Sequence, residues 1–210
     1  MAIPITIDSC TWNYFFENEY DLCVQLPPAK FSLSITREVE LELLQTPDYS
    51  HGEDKRPLKQ YINHSIKCRE IPTTYSFGFS DLESPEDPPR YGGFGQGTFE
   101  TDAQQDWRQR EQTQKFVQDG FDAKQRAKTV LRKDEADVAL AVASIVSILI
   151  TVDEKKGARA GKKGPIYDAA VNGGFVVFVQ DVDNSGLALA EYIEKHFSVT
   201  EGTLQRNSIQ

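Results

Sequence analysis

The sequence lacks the features that mark membrane proteins and disulfide-rich or zinc-binding domains. No apolar run among its 210 residues reaches the roughly 18 expected of a membrane-spanning helix. The N-terminal stretch has neither the basic start nor the apolar block of a signal peptide. Its three cysteines form no CxxC pair, so we expect reduced thiols. We therefore expect a soluble cytoplasmic protein that binds no membrane.

Several catalytic motifs are missing as well. The three histidines, His51, His64 and His196, are scattered and form no HExxH pattern and no Ser-His-Asp signal, although folding could bring His64 near a site. The glycines of residues 92–97 are not a phosphate-binding loop, because no Gly-Lys-Ser/Thr follows them. Metalloprotease, serine-hydrolase and P-loop chemistry are therefore not expected.

The net charge is −9, which by itself argues against a nucleic-acid partner, because Lys and Arg drive phosphate binding. The basic residues are nevertheless concentrated on both sides of residues 134–153, from 124 to 133 and from 155 to 163. A basic rim of this kind suits an enzyme that acts on a polyanion. The alternative is a solvated helix face followed by a flexible loop. The expected nucleic-acid contacts are Lys155, Lys156, Arg159, Lys162 and Lys163.

Two aspartates flank the most apolar part of the chain. Residues 138–146 are rich in Ala, Val and Leu, which predicts a buried helix, and Asp137 lies at its start. The following Ser-Ile-Leu-Ile-Thr-Val predicts a buried strand that ends at Asp153. In an open parallel sheet, ligands bind in the crevice at the carboxyl ends of the strands. Asp153 is therefore expected at such a crevice.

The first strand repeats this arrangement. Residues 3–7 predict a short buried strand, and Asp8 follows it directly, either as a metal ligand or as an N-cap of the next helix. Residues 31–35 predict a second strand, after which Thr36 can cap a helix. On that helix we expect Glu42 to face the crevice. Its neighbours Glu38 and Glu40 are expected on the solvated surface.

Strands alternate with helices along the chain, which predicts an α/β fold with a mostly parallel sheet covered on both faces. We expect a single domain over residues 1–210, with an insertion at about 46–129. Within the insertion, residues 80–100 predict a long Pro- and Gly-rich loop. It is either a mobile linker, a partner-binding flap, or a segment that stacks on a nucleic acid through Arg90, Tyr91, Phe94 and Phe99. Gly120 is expected to divide residues 102–133 into two helices. Residues after Val199 are expected to form a loose tail.

Four carboxylates from four separate elements are thus expected at one edge of the sheet. A carboxylate cluster suits a hard divalent cation, and Mg²⁺ or Mn²⁺ prefers such oxygen ligands. A bound cation of this kind can polarise a phosphate and lower the pKa of water, so the expected reaction is phosphodiester hydrolysis. The expected metal-binding and catalytic residues are Asp8, Glu42, Asp137 and Asp153.

Short motifs around these carboxylates resemble the PIN-domain nucleases. They are ITIDSC at 5–10, ITREVELELL at 35–44, DVALAVA at 137–143 and ITVDEKKG at 150–157. The resemblance places that family's acidic site at the four carboxylates named above. It implies an α/β/α sandwich and a metal-dependent endoribonuclease that acts on RNA. Such proteins are often dimeric and often the toxin of a toxin–antitoxin pair, which implies an antitoxin-like protein partner.

The sequence leaves three alternatives open. Asp134 could replace Asp137, because the two lie three residues apart near the same helix start. The same fold could serve as a non-catalytic protein-interaction module. It could also be a metal-dependent phosphohydrolase that acts on nucleotides.

Overall fold

The structure is a computed structural model that describes residues 1–50, 52–78, 89, 91–122, 131–153 and 164–207. Strands and helices alternate over most of this length. The strands are β1 (Ile3–Ile7), β2 (Phe31–Thr36), β3 (Tyr49–Ser50), β4 (Glu53–Asp54), β5 (Thr73–Ser76), β6 (Gly97–Thr98), β7 (Ile148–Thr151), β8 (Val176–Phe178), β9 (Phe197–Thr200) and β10 (Thr203–Arg206). The helices are α1 (Thr11–Glu17), α2 (Leu22–Gln25), α3 (Arg37–Leu44), α4 (Arg56–Cys68), α5 (Asp102–Gln109), α6 (Glu111–Asp122), α7 (Glu135–Ala143), α8 (Pro165–Val171), α9 (Val179–Ser185) and α10 (Leu189–His196).

The central sheet has six strands in the order β6-β5-β2-β1-β7-β8, and every pairing within it is parallel. All four residues of β7 are buried, as are Ile5, Thr6 and Ile7 of β1, so both faces of these strands are covered. Apolar, β-branched strands buried on both faces are typical of parallel sheets. The predicted α/β fold with a mostly parallel sheet is confirmed.

The helices pack in three sets. The apolar helix α7 packs against α3, α5, α6 and α8, whereas α4 packs against α1 and α2, and α9 packs against α10. Leu140 and Ala141 of α7 are fully buried, as expected for a helix that is apolar on nearly all sides. This arrangement is compatible with a three-layer sandwich. In the described part of the chain, no helix is long and apolar enough to cross a membrane.

The strand order reverses at β1. The chain runs from β1 outwards through β2, β5 and β6, and then returns to place β7 and β8 on the other side of β1. The neighbours β1 and β7 therefore form a topological switch point, where the carboxyl ends of parallel strands leave a crevice for a ligand. Asp8 directly follows β1, and Asp153 lies two residues after the end of β7.

The middle of the chain differs from expectation in one respect. The break between α5 and α6 lies at Arg110, and Gly120 is inside α6, so the prediction that Gly120 divides two helices is wrong. A Cβ at position 120 would lie 2.4 Å from the carbonyl oxygen of Lys133. The backbone of Lys133 therefore comes too close to this position for any residue other than glycine. Strands β5 and β6, from the region expected to be an insertion, extend the central sheet.

The C-terminal segment is ordered into a hairpin rather than a loose tail. Strands β9 and β10 pair antiparallel, with Thr200 opposite Thr203. Leu204 is buried and joins the main apolar core, and the amide of Asn207 donates to the backbone carbonyls of Glu194 and Lys195. The hairpin is therefore held to the end of α10 by both apolar and polar contacts.

Candidate functional site

Asp8 and Asp153 lie at the same edge of the sheet. Strands β1 and β7 pair in register, with Ile7 beside Ile150, and the backbone N–H of Asp8 donates to the carbonyl oxygen of Ile150 over 3.1 Å. The pairing continues past the last strand residue of β1. The structure thus brings the carboxyl ends of two strands together, and an aspartate follows each of them.

The Asp8 carboxylate is only 4% exposed and accepts several hydrogen bonds. The hydroxyl of Thr151 donates to its Oδ2 over 2.6 Å, and the thiol of Cys10 donates to the same oxygen over 2.9 Å. The hydroxyl of Ser9 lies 3.4 Å from Oδ1. The N-cap residue of α1 is Cys10, so the Asp8 side chain does not cap that helix. Its partners fix the orientation of the carboxylate.

Thr151 connects the two strand ends. Besides donating to Asp8, its hydroxyl accepts a hydrogen bond from the backbone N–H of Asp153 over 3.0 Å. The side chain of Gln180 donates to the carbonyl oxygen of Val152 over 2.8 Å and so ties the same turn to α9. Desolvation, followed by the negative charge of Asp8, raises the pKa of the Asp153 carboxyl.

Asp137 lies in the first turn of α7 and is half-buried. Burial and then the negative charges of its neighbours raise the pKa of its carboxyl from an ordinary 3.8 to about 7. Asp137 therefore lies within electrostatic reach of the other three predicted carboxylates, and of Asp134. The contributing neighbours, in decreasing order, are Asp8, Asp153, Asp134 and Glu42.

Asp134 remains an alternative to Asp137. It is the N-cap residue of α7, but its side chain makes no capping hydrogen bond, and its backbone has a left-handed φ of 60°. That conformation is uncommon for residues other than glycine, although Asp and Asn tolerate it best. The ammonium group of Lys133 lies 3.6 Å from its carboxylate. Asp134 and Asp137 thus both lie at the N-terminal end of α7.

On α3 the predicted cap is present, because the hydroxyl of Thr36 accepts from the backbone N–H of Val39. The expectation of solvated glutamates on this helix is wrong. Glu38 is half-buried, and burial raises its pKa. Glu40 pairs with the buried guanidinium of Arg37. Arg37, three residues before Glu40 on the same helix, was a signal for this contact. The spacing of Glu38, Glu40 and Glu42 contains no signal that Glu38 is buried.

The donor set of this carboxylate site, defined as Asp8, Glu42, Asp137 and Asp153, consists of oxygen atoms, the ligands that hard divalent cations prefer. Among the residues that the structure describes, no three His, Cys, Asp or Glu side chains are already grouped as the ligands of one ion would be. The predicted basic contacts Lys155, Lys156, Arg159, Lys162 and Lys163 lie outside the described residues.

Beside the carboxylate site is a cavity of about 500 Å³ that the sequence did not reveal. Residues from α3, α5, α6, α7 and the ends of β5 and β6 line it, so it forms only when widely separated segments meet. Its aromatic residues are Phe77, Tyr91, Phe99, Phe116 and Phe121.

Comparison with known proteins gives no relative. No protein-family model, characterised protein or solved structure matches this chain.

Proposed function

We propose that this protein is a divalent-metal-dependent endoribonuclease of the PIN-like type. The proposal is supported by Asp8 and Asp153, which follow the neighbouring strands β1 and β7, and by Asp137, which lies within electrostatic reach of both and of Glu42. Carboxylates repel one another, so a group of them is costly unless positive charge, such as a bound cation, neutralises it. Ligand crevices of parallel sheets lie at this same place.

Each residue of the site has a role in the proposal. Thr151 and Cys10 hold the buried Asp8 carboxylate in one orientation, so that Oδ1 is its less encumbered oxygen. Asp137, whose pKa is about 7, can give up its proton near neutral pH and become a negatively charged ligand. Asp153 and Glu42 complete the set. Mg²⁺ or Mn²⁺ bound here would polarise the scissile phosphate and lower the pKa of the attacking water.

Other parts of the proposal rest on the sequence alone. The basic segment of residues 155–163 would contact the RNA backbone, since Lys and Arg neutralise phosphates. The resemblance to PIN-domain nucleases adds an antitoxin-like protein partner and a homodimer.

The test is cleavage of single-stranded RNA in the presence of Mn²⁺. We expect Asp8→Asn and Asp153→Asn each to lower the rate at least about 100-fold, as expected for losing a group that stabilises transition-state charge. Asp119→Asn, at an exposed aspartate of α6, is the matched control and should cleave normally. A parallel panel of RNA, DNA and mononucleotides identifies the substrate class. Full activity in both site variants would show that the site is wrongly assigned.

A further inference from the structure

The cavity beside the carboxylate site has aromatic walls. The rings of Phe77 and Phe99 stack with centroids 4.4 Å apart and an angle of 27° between their planes. Phe99 is 74% exposed, so the pair covers only part of its ring surface. On another side of the cavity, the guanidinium of Arg132 lies 3.6 Å from the centroid of the half-exposed Phe121 ring. Flat aromatic and guanidinium surfaces of this kind bind other planar rings.

The charges around the cavity are nearly balanced. Among the described residues that line it, four carry carboxylates and three carry positive charges. The guanidinium of Arg108 donates to Oε1 of Glu100 from Nε over 2.9 Å, and its Nη2 donates to the same oxygen. Because positive charge is not in excess among these described residues, the wall that they form suits an uncharged ring better than a phosphate. Its volume is within the range of small-molecule sites, about 300–1,000 Å³.

The cavity and the carboxylate site share two helices. On α3, Glu38 lines the cavity, and Glu42, one turn later, belongs to the carboxylate site. On α7, Asp134 and Val138 line the cavity, and Asp137 lies between them. A ligand that occupies both places therefore needs a planar, neutral part next to a part that binds at carboxylates through a cation.

We propose that the cavity holds an unpaired nucleobase of an RNA strand, stacked on Phe99, next to the phosphate at the carboxylate site. A nucleotide has the required combination of a neutral planar ring and an adjacent phosphate. The inference rests on the proposed function and specifies its substrate as RNA with unpaired bases, because a base held in a duplex is not free to enter a cavity. The carboxyl group of Glu38, which lines the cavity, can form a hydrogen bond with the edge of the base.

The experiment measures binding without cleavage. Single-stranded RNA that carries the fluorescent base 2-aminopurine is titrated with the protein in EDTA, and stacking is followed by the change in base fluorescence. We expect Phe99→Ala to weaken binding about 10-fold and to reduce the fluorescence change, which is the range for losing one base–aromatic stack. Phe99→Trp should retain both. Tyr49→Ala, at an aromatic residue of β3 that is 61% exposed, is the control and should bind normally.

Two further measurements separate this inference from the proposed function. Asp8→Asn should lose Mn²⁺-dependent cleavage but keep the fluorescence change in EDTA. Duplex RNA of the same sequence should bind more weakly than the single strand. If RNA is cleaved and Phe99→Ala and Phe121→Ala both bind it like the unsubstituted protein, the cavity inference is overturned and the nuclease stands. If both variants lose binding while no substrate is cleaved, the base site stands and the nuclease proposal fails.

Discussion

The hydroxyl of Thr151 donates to Oδ2 of Asp8 over 2.6 Å, and both groups are buried. The same hydroxyl accepts from the backbone N–H of Asp153. One side chain therefore fixes the positions of the two aspartates that follow neighbouring strands. The relative placement of Asp8 and Asp153 is accordingly a property of the β1–β7 pairing rather than of two independent loops.

Removal of this hydroxyl should destabilise the protein. In Thr151→Val the Asp8 carboxylate loses a donor while it stays buried, and leaving a buried charged acceptor underpaired costs about 1–3 kcal/mol. Thr151→Ser keeps the donor and should lose less than half of that amount. Urea unfolding measured at pH 7 gives both values. Equal stability of the valine variant and the unsubstituted protein would contradict the role given to this hydroxyl.

The raised pKa of Asp137 predicts how stability changes with pH in the absence of divalent metal. Between about pH 4 and pH 7 the folded protein holds a proton on Asp137 that the unfolded chain has released, so stability falls as the pH rises through this window. Asp137→Asn cannot ionise and should be more stable than the unsubstituted protein at pH 8 by about 1–3 kcal/mol, since a tenfold change in proton affinity corresponds to about 1.4 kcal/mol.

The measurement is a series of urea midpoints from pH 4.5 to pH 8 in EDTA. Asp119→Asn is again the matched control, because this aspartate is exposed on α6 and should leave the pH profile unchanged. Parallel profiles for Asp137→Asn and the unsubstituted protein would show that Asp137 is not crowded by the other carboxylates.

Divalent cations should stabilise the folded protein. A cation that binds only the folded state adds about 2.7 kcal/mol when its concentration is 100 times its Kd. Thermal unfolding with added Mn²⁺ should therefore show a raised Tm, which EDTA reverses. Asp8→Asn and Asp153→Asn should abolish the increase, whereas Asp119→Asn should keep it. An unchanged Tm at millimolar Mn²⁺ would instead favour a non-catalytic interaction module.

The edge of the sheet next to the cavity depends on Gly97. A Cβ there would lie 2.2 Å from the carbonyl oxygen of Gly92 and 2.7 Å from the Cα of Phe77, and both are backbone atoms that cannot move independently. Gly97→Ala should therefore destabilise the protein by about 1–3 kcal/mol. Gly93→Ala has open space around its Cβ and should be nearly neutral. A thermal melt of the two variants compares them directly.

The meeting of Asp8 and Asp153 could be predicted because it depends on local patterns and one general rule. Two buried, β-branched segments each end in an aspartate, and parallel strands align their carboxyl ends at one edge. The cap at Thr36 was equally local, since a threonine directly preceded the helical pattern.

The remaining features depend on which distant segments pack together. Burial of Glu38 requires α7 and the segment from β6 to α5 to cover α3, and no spacing within α3 encodes that. The position of Gly120 follows from the approach of Lys133, which the helical pattern around the glycine does not show. The cavity likewise forms only where segments far apart in the chain pack together, and for this reason it was not expected from the sequence.

The hydrogen bond between Thr151 and Asp8 joins residues 143 positions apart in the chain. Contacts over such separations form late in folding, because the loop between them must first be closed. During synthesis, a ribosome-bound chain that has not yet released β7 lacks Asp153 and the partner of Asp8. Under the proposed function, a growing chain therefore stays unable to cleave RNA until β7 and Asp153 have left the ribosome.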